Sequence, residues 1–231
     1  IASEAFDQLV MGAAHPYGRP SEGTEATLKA FTTDDVRAWH RTHFVPANSV
    51  LVVVGALSRA ELEALLAPTL GAWQGGPAPG QPVVATPAQP KGRVIYLIDK
   101  PGAAQSEIRA GRVGLVRNSP DYHTAMVLNT LLGGSFTSRL NTNLREKNQY
   151  SYGARSSYAM MRMAGPFQAA TSVQTDKTAP AVREVVSELT AIAKITPAEI
   201  AKARSYVGLG YAEEFIGVTR LAAQVAELVF Y

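Results

Sequence analysis

Leu131-Leu-Gly-Gly-Ser-Phe-Thr-Ser-Arg-Leu-Asn-Thr-Asn-Leu-Arg-Glu-Lys-Asn-Gln-Tyr-Ser-Tyr-Gly153 joins two helical patterns to a strand, and its reading sets the fold of the second half of the chain. A helix over Tyr122–Leu132 is expected to stop at Gly133-Gly134. A second starts near Ser135 or Thr137, with Phe136, Leu140 and Leu144 at i, i+4 and i+8 marking its buried face. Downstream, Ser151–Ala159 and Pro166–Val173 are β-rich and separated by a turn holding Gly165-Pro166. Upstream, Val94–Ile98 and Ser106–Val113 also read as strands. Thr178–Ala193 is amphipathic through Val182, Val185, Val186, Leu189 and Ile192. Thr196-Pro-Ala-Glu199 combines an N-cap, proline at the first helical position and an acid at the third. Strands, two helices, two strands and further helices, in that order, predict an α+β fold of mainly antiparallel sheet with helices packed on one face.

The first part of the chain reads differently. Ala2–Met11 is helical, and His15-Pro-Tyr-Gly-Arg-Pro20 is a loop because both prolines oppose helix. A helix begins at about Thr33, carrying Val36, Trp39, His40 and Phe44 at helical spacing. Ser49–Gly55 is a short β-branched run, apolar on both faces, which predicts a strand in the middle of a layer. Ser58-Arg-Ala-Glu61 is a capping box ahead of a stripe of Leu62, Leu65, Leu66 and Leu70. Between Gln74 and Arg93 five prolines and four glycines stand in twenty residues, which predicts a semi-rigid surface spacer. The chain therefore divides into 1–73, a linker over 74–93, and 94–231. A 73-residue piece with few strands is small for an independent domain. The chain also ends inside an apolar helical pattern at Val229-Phe-Tyr231. Both observations lead to the expectation that the first domain is truncated at its start and the second at its end. The strand and helix of Ser49–Leu70 and those of Phe167–Ala193 share an order that suggests two related domains.

The 231 residues are 46% hydrophobic and 18% charged, enough apolar material for a packed core. A net charge of +3 with no long basic run argues against nucleic-acid or polybasic membrane binding, and no apolar run reaches the roughly 18 residues of a bilayer span. With no cysteine, disulfides, thiol catalysis and sulfur-ligated metals are out of reach. Four histidines remain. His40 and His43 lie at i, i+3 with no carboxylate between them, and no H-E-x-x-H or H-x-x-E-H occurs, so the expected arrangement is His40 packed beside Trp39 and His43 half exposed. His15 is explained by its turn, and His123 has no evident partner. Gly133-Gly-Ser-Phe-Thr137 has Thr where a nucleophile elbow needs Gly, and no glycine-rich phosphate loop is present. Arg145, in the last turn of the second helix, and Tyr152, seven residues on at the strand start, suit two descriptions. A guanidinium fork and a phenol can together grip a peptide carbonyl and the oxyanion formed on attack. Equally, Arg145 can complement the helix dipole while Tyr152 packs on the sheet.

The stretch from Leu131 to Gly153 resembles the C-terminal-domain motif of the insulinase/pitrilysin family of zinc peptidases, which includes mitochondrial processing peptidase, and in particular its shorter bacterial members. His15-Pro-Tyr-Gly-Arg-Pro20 followed by Gly23-Thr24, and Asn48-Ser-Val-Leu-Val-Val-Val-Gly55, resemble the second half of that family's N-terminal domain. The resemblance implies two related α+β domains enclosing a peptide across a chamber. It implies zinc held by an H-x-x-E-H motif plus a glutamate upstream of the segment matching Ile1, so that this chain itself binds no metal. It implies that Arg145 and Tyr152 are the pair that binds substrate backbone and stabilises the tetrahedral intermediate, catalytic residues in that sense. The activity implied is that of a zinc metalloendopeptidase in the complete protein, on peptide or unfolded protein, with this chain alone inactive. The alternatives are a non-catalytic companion subunit of a heteromeric family peptidase or a peptide-binding structural protein, and the implied assembly is with a family-related partner subunit or a second copy as a homodimer. The type of relative and the lack of cysteine suggest a periplasmic or cell-envelope setting.

Overall fold

A computed structural model describes residues 1–231. The polypeptide forms two compact units, one of Ile1–Pro20 with Val84–Gly210 and the other of Ser21–Val83 with Tyr211–Tyr231. This grouping follows spatial proximity, whereas the division at 74–93 follows composition. The 74–93 segment has no regular secondary structure. Gln89 within it accepts a 2.9 Å hydrogen bond from the Val113 amide through its side-chain oxygen.

The first unit is built on a three-stranded antiparallel sheet of β1 (Gln105–Val113), β2 (Ser151–Met160) and β3 (Ala164–Gln174), with β3 in the middle. β3 can take the centre because its side chains alternate. Ala169, Thr171 and Val173 are buried on one face, while Gln168, Ala170 and Ser172 between them are only half-buried. The register pairs Ile108 with Thr171 on one side and Ala154 with Thr171 on the other. Against the buried face lie α5 (Tyr122–Asn129), α6 (Arg139–Asn141) and α7 (Thr178–Ala191). Their apolar stripes close a core of Ile108, Leu132, Leu140, Leu144, Ala154, Ala169, Val173, Ala181 and Val185. On the other face α1 (Ala2–Met11) sets its buried Phe6 against Gly111, where an added Cβ would lie 2.7 Å from the ring. The fold is α+β with an antiparallel sheet, as the element order predicts.

Both helices of the 122–147 hairpin end in wider π-type turns. α5 runs on through Thr130–Gly134, and α6 through Thr142–Lys147. The Gly133-Gly134 pair ends the helical segment as expected, with Gly134 its last residue and Ser135 its cap. A Cβ on Gly133 would stand 2.2 Å from the Ser156 backbone nitrogen, so glycine is required there for the helix to press against β2. Leu140 and Leu144 are buried as expected, but Phe136, assigned to the same face, is 65% exposed. It lies in the loop ahead of α6, not on the helix, so helical spacing does not govern it.

The second unit contains α2 (Glu25–Ala30), α3 (Thr33–His43), α4 (Arg59–Leu66) and α9 (Val218–Phe230); α8 (Pro197–Glu213) precedes α9 in the chain. The Ser58/Glu61 capping box forms as expected, and Thr32/Asp35 makes another. Two expected strands are absent. Ser49–Gly55 and Val94–Ile98 pair with nothing, and Leu51, Ile95 and Leu97 are exposed. A β-rich run supplies side chains for a layer but not the neighbouring strand, and no strand of this chain lies alongside either run.

Leu144→Ala is expected to lower the unfolding free energy by about 2–5 kcal/mol through the cavity it leaves. Gly133→Ala is expected to cost about 1–3 kcal/mol by forcing helix and strand apart. Urea denaturation followed by circular dichroism measures both, and wild-type midpoints would disprove the packing described.

Candidate functional site

The second helical segment is fixed at its start by Arg139. Its guanidinium forks onto Glu199, with Nε 2.6 Å from Oε1 and Nη2 2.8 Å from Oε2, and Nη1 donates to the Ala191 carbonyl at 3.0 Å. Arg139 is 16% exposed, which gives the bidentate pair more weight than a surface ion pair. These donors, followed by the Thr196 amide and hydroxyl, draw the Glu199 carboxyl from 4.5 down to about 2. In the middle of the segment the buried Asn141 bridges two elements: its amide nitrogen donates to the Phe136 carbonyl at 2.7 Å, and its oxygen accepts from the Ala154 amide of β2 at 3.2 Å.

At the end of the segment the chain turns sharply into β2. Gln149 takes φ 55°, the Tyr150 amide donates to the Leu144 carbonyl at 2.9 Å, and Asn148 donates to the Asn143 carbonyl and side-chain oxygen. This reversal carries Tyr152 back beside Arg145. The Arg145 guanidinium carbon lies 5.3 Å from the Tyr152 ring centre and 4.6 Å from that of Phe136. Arg145 Nε is 3.3 Å from Glu146, an i, i+1 pair, and no hydrogen bond engages the guanidinium. Tyr152 is 92% exposed, so its phenol does not pack on the sheet. The result is a surface patch of two aromatic rings and one guanidinium whose only ion pair is the exposed one to Glu146, leaving Nη donors suited to carbonyl or carboxylate oxygens. A cavity of about 390 Å³ borders the other side of the segment at Arg139, Asn143, Lys147 and Glu199, and neither Arg145 nor Tyr152 lines it.

No three His, Cys, Asp or Glu side chains converge to hold a metal ion. His40 is stacked on Phe44 at 4.9 Å rather than packed beside Trp39; it is His43 that stacks on Trp39, at 4.6 Å, while its Nδ1 lies 3.0 Å from the Trp39 carbonyl oxygen. The i, i+3 pair is thus spread over two aromatic partners. His15 is buried and accepts from the Tyr17 amide at 3.0 Å, capping its own turn. His123 lies edge-on to Tyr122. These side chains do not fit a zinc site. The structure brings Arg145 and Tyr152 together, and beside them it places Phe136, expected in the core, and the bridging Asn141, which the sequence did not single out. A polar residue next to the two buried leucines was the available signal for Asn141.

A small antiparallel sheet lies under a helical hairpin, with Arg145 and Tyr152 at the hairpin's end. The chain belongs to the peptidase M16 family, matching its inactive domain over residues 30–207. It is 31% identical over 144 residues to an uncharacterized zinc protease of Streptomyces coelicolor, covering 58% of this chain and 30% of that one. Among solved structures, the peptidase M16 inactive domain from Pseudomonas fluorescens superposes with TM-score 0.85 at 25% identity, over 100% of this chain and 55% of the other. The periplasmic protease PqqL from Escherichia coli shares the fold, with TM-score 0.71 at 18% identity, over 99% of this chain and 25% of that one. The chain thus spans about a third of the Streptomyces relative. No helix is long and apolar enough to cross a membrane.

Two outcomes check the supports of the site. Gln149→Val is expected to destabilise by about 1–2 kcal/mol, because a β-branched residue resists positive φ, whereas Gln149→Gly is tolerated. Since the folded Glu199 carboxyl titrates below its unfolded value, its contribution is complete above about pH 4.5 and fades as pH falls from 4.5 toward 2. Glu199→Gln is expected to remove that component of acid sensitivity and to lower the urea midpoint at neutral pH. A variant with the wild-type acid profile would contradict the assignment.

Proposed function

We propose that this chain is the substrate-gripping part of a zinc metallopeptidase, in which Arg145 and Tyr152 hold a peptide. The observation that carries the reading is the Arg145 guanidinium, held by no more than a surface ion pair to Glu146, lying beside the exposed Tyr152 ring. The family membership and the zinc-protease relative support it. The guanidinium is a permanent cation with a planar fork of donors, so it favours a carbonyl oxygen more strongly as negative charge grows on it. The phenol adds a second donor from β2, a different element, which fixes the direction from which the oxygen is approached. Neither group needs to change protonation to do this, so both act as electrostatic and orienting donors rather than as acid or base. Zinc and the general base come from outside these 231 residues. The substrate is a peptide or unfolded protein recognised by its backbone, and the setting is the cell envelope, by likeness to the periplasmic neighbour.

In the full-length protein, Arg145→Ala is expected to lower kcat/KM on an unstructured fluorogenic peptide by about 10²–10³, and Tyr152→Phe by a smaller factor, with thermal midpoints unchanged. Wild-type turnover in Arg145→Ala would refute the role. A full-length protein with no chelator-sensitive hydrolysis that still binds peptide through Arg145 would instead be a companion subunit.

A further inference from the structure

We propose that Phe136 is a positioning residue for Arg145, holding the guanidinium in place before a peptide arrives; this rests on the reading of Arg145 as a substrate-binding group. Three observations lead to it. First, the Phe136 ring is 65% exposed although it is a large apolar side chain in a loop bordered by a tightly packed helix, so burial does not account for it. Second, its face is occupied by the Arg145 guanidinium, 4.6 Å from the ring centre, closer than the 5.3 Å to Tyr152 and well within the range of a cation–π contact. Third, the backbone that presents the ring is not free. The Phe136 carbonyl accepts from the buried Asn141, whose other end is bonded to Ala154 of β2, the strand that also carries Tyr152. Ring, cation and phenol are thereby referred to one rigid frame.

An arginine has many rotamers, and one that must be ordered by the incoming ligand loses affinity in the process. In the same conformation Nε lies 3.3 Å from the Glu146 carboxylate, an exposed pair that alone holds the side chain weakly. An aromatic face stabilises the cation without occupying its in-plane donors, so the N–H groups stay available to an oxygen. Phe136 has no polar atom of its own, and its effect on backbone recognition therefore passes through Arg145.

The test is a double-mutant cycle in the full-length protein, read both as kcat and KM on an unstructured fluorogenic peptide and as peptide affinity by fluorescence anisotropy. Phe136→Leu is expected to lower kcat/KM and affinity about tenfold with an unchanged thermal midpoint. Phe136→Tyr restores both, and Phe136→Leu adds nothing once Arg145 is alanine. Wild-type behaviour of Phe136→Leu, or an undiminished effect of it in the Arg145→Ala background, overturns the positioning role while leaving Arg145 as a binding group. Wild-type affinity and turnover in Arg145→Ala overturn both.

Discussion

Everything at the Arg/Tyr patch is referred to the burial of one helix face on one sheet face. Leu140 and Leu144 have essentially no exposed surface and lie in the core with Ala154, Ala169 and Val173. Each buried leucine contributes about 1.5–3 kcal/mol relative to an exposed one. That energy fixes the rotation of the segment about its own axis. Once Leu144 points at the sheet, its neighbour Arg145 must point elsewhere, and the π-type turn over Thr142–Lys147 sets where. The small residues of β2 and β3 are the other half of the constraint, because Ala154 and Ala169 leave room for the leucines, and Gly133 lets the preceding helix touch Ser156.

Polar contacts then refine a placement that packing has made. Arg139 ties the start of the segment to the end of α7 and, through Glu199, to the start of α8. Asn141 ties its middle to the loop before it and the strand after it. Asn148 and the left-handed Gln149 close its end. These bonds are few, but each joins elements that hydrophobic contact alone would leave free to slide. An unpaired amide at Asn141 would lose the desolvation balance its two partners provide, which is why a polar side chain is tolerated between two leucines.

The three sheet strands, the amphipathic helix at Thr178 and the caps at Ser58 and Thr196 were legible in the sequence because each is decided by local chemistry: alternation, periodicity, or a hydroxyl placed to accept an amide. Arg145 and Tyr152 were legible as a pair only through family resemblance; spacing alone left helix-dipole compensation and sheet packing open, and the exposure of Tyr152 disfavours the latter. The failures share a cause. Phe136 follows the helical period in sequence but precedes the helix in space, and Ser49–Gly55 and Val94–Ile98 have strand composition without a strand beside them. His40, expected beside Trp39, stacks on Phe44 one turn further on, and on an exposed helix neither choice changes burial enough to show in the pattern.

The division between what packing fixes and what it leaves open bears on function. A core of leucine, valine and alanine constrains the backbone of the hairpin but says nothing about the outward side chains, so an Arg/Tyr pair and its aromatic neighbour can be kept or lost without disturbing the fold. That all three outward groups lie together here, with the guanidinium free of hydrogen bonds and the phenol bare, is not demanded by stability: exposed aromatic rings gain little from water, and the Glu146 ion pair is of the weak surface kind. Residues that stability does not require, gathered within 5.3 Å of one guanidinium, are the ones the proposed function uses. On the proposed reading, one permanent cation and one neutral hydroxyl would favour an oxygen-bearing partner over a cationic or purely apolar one.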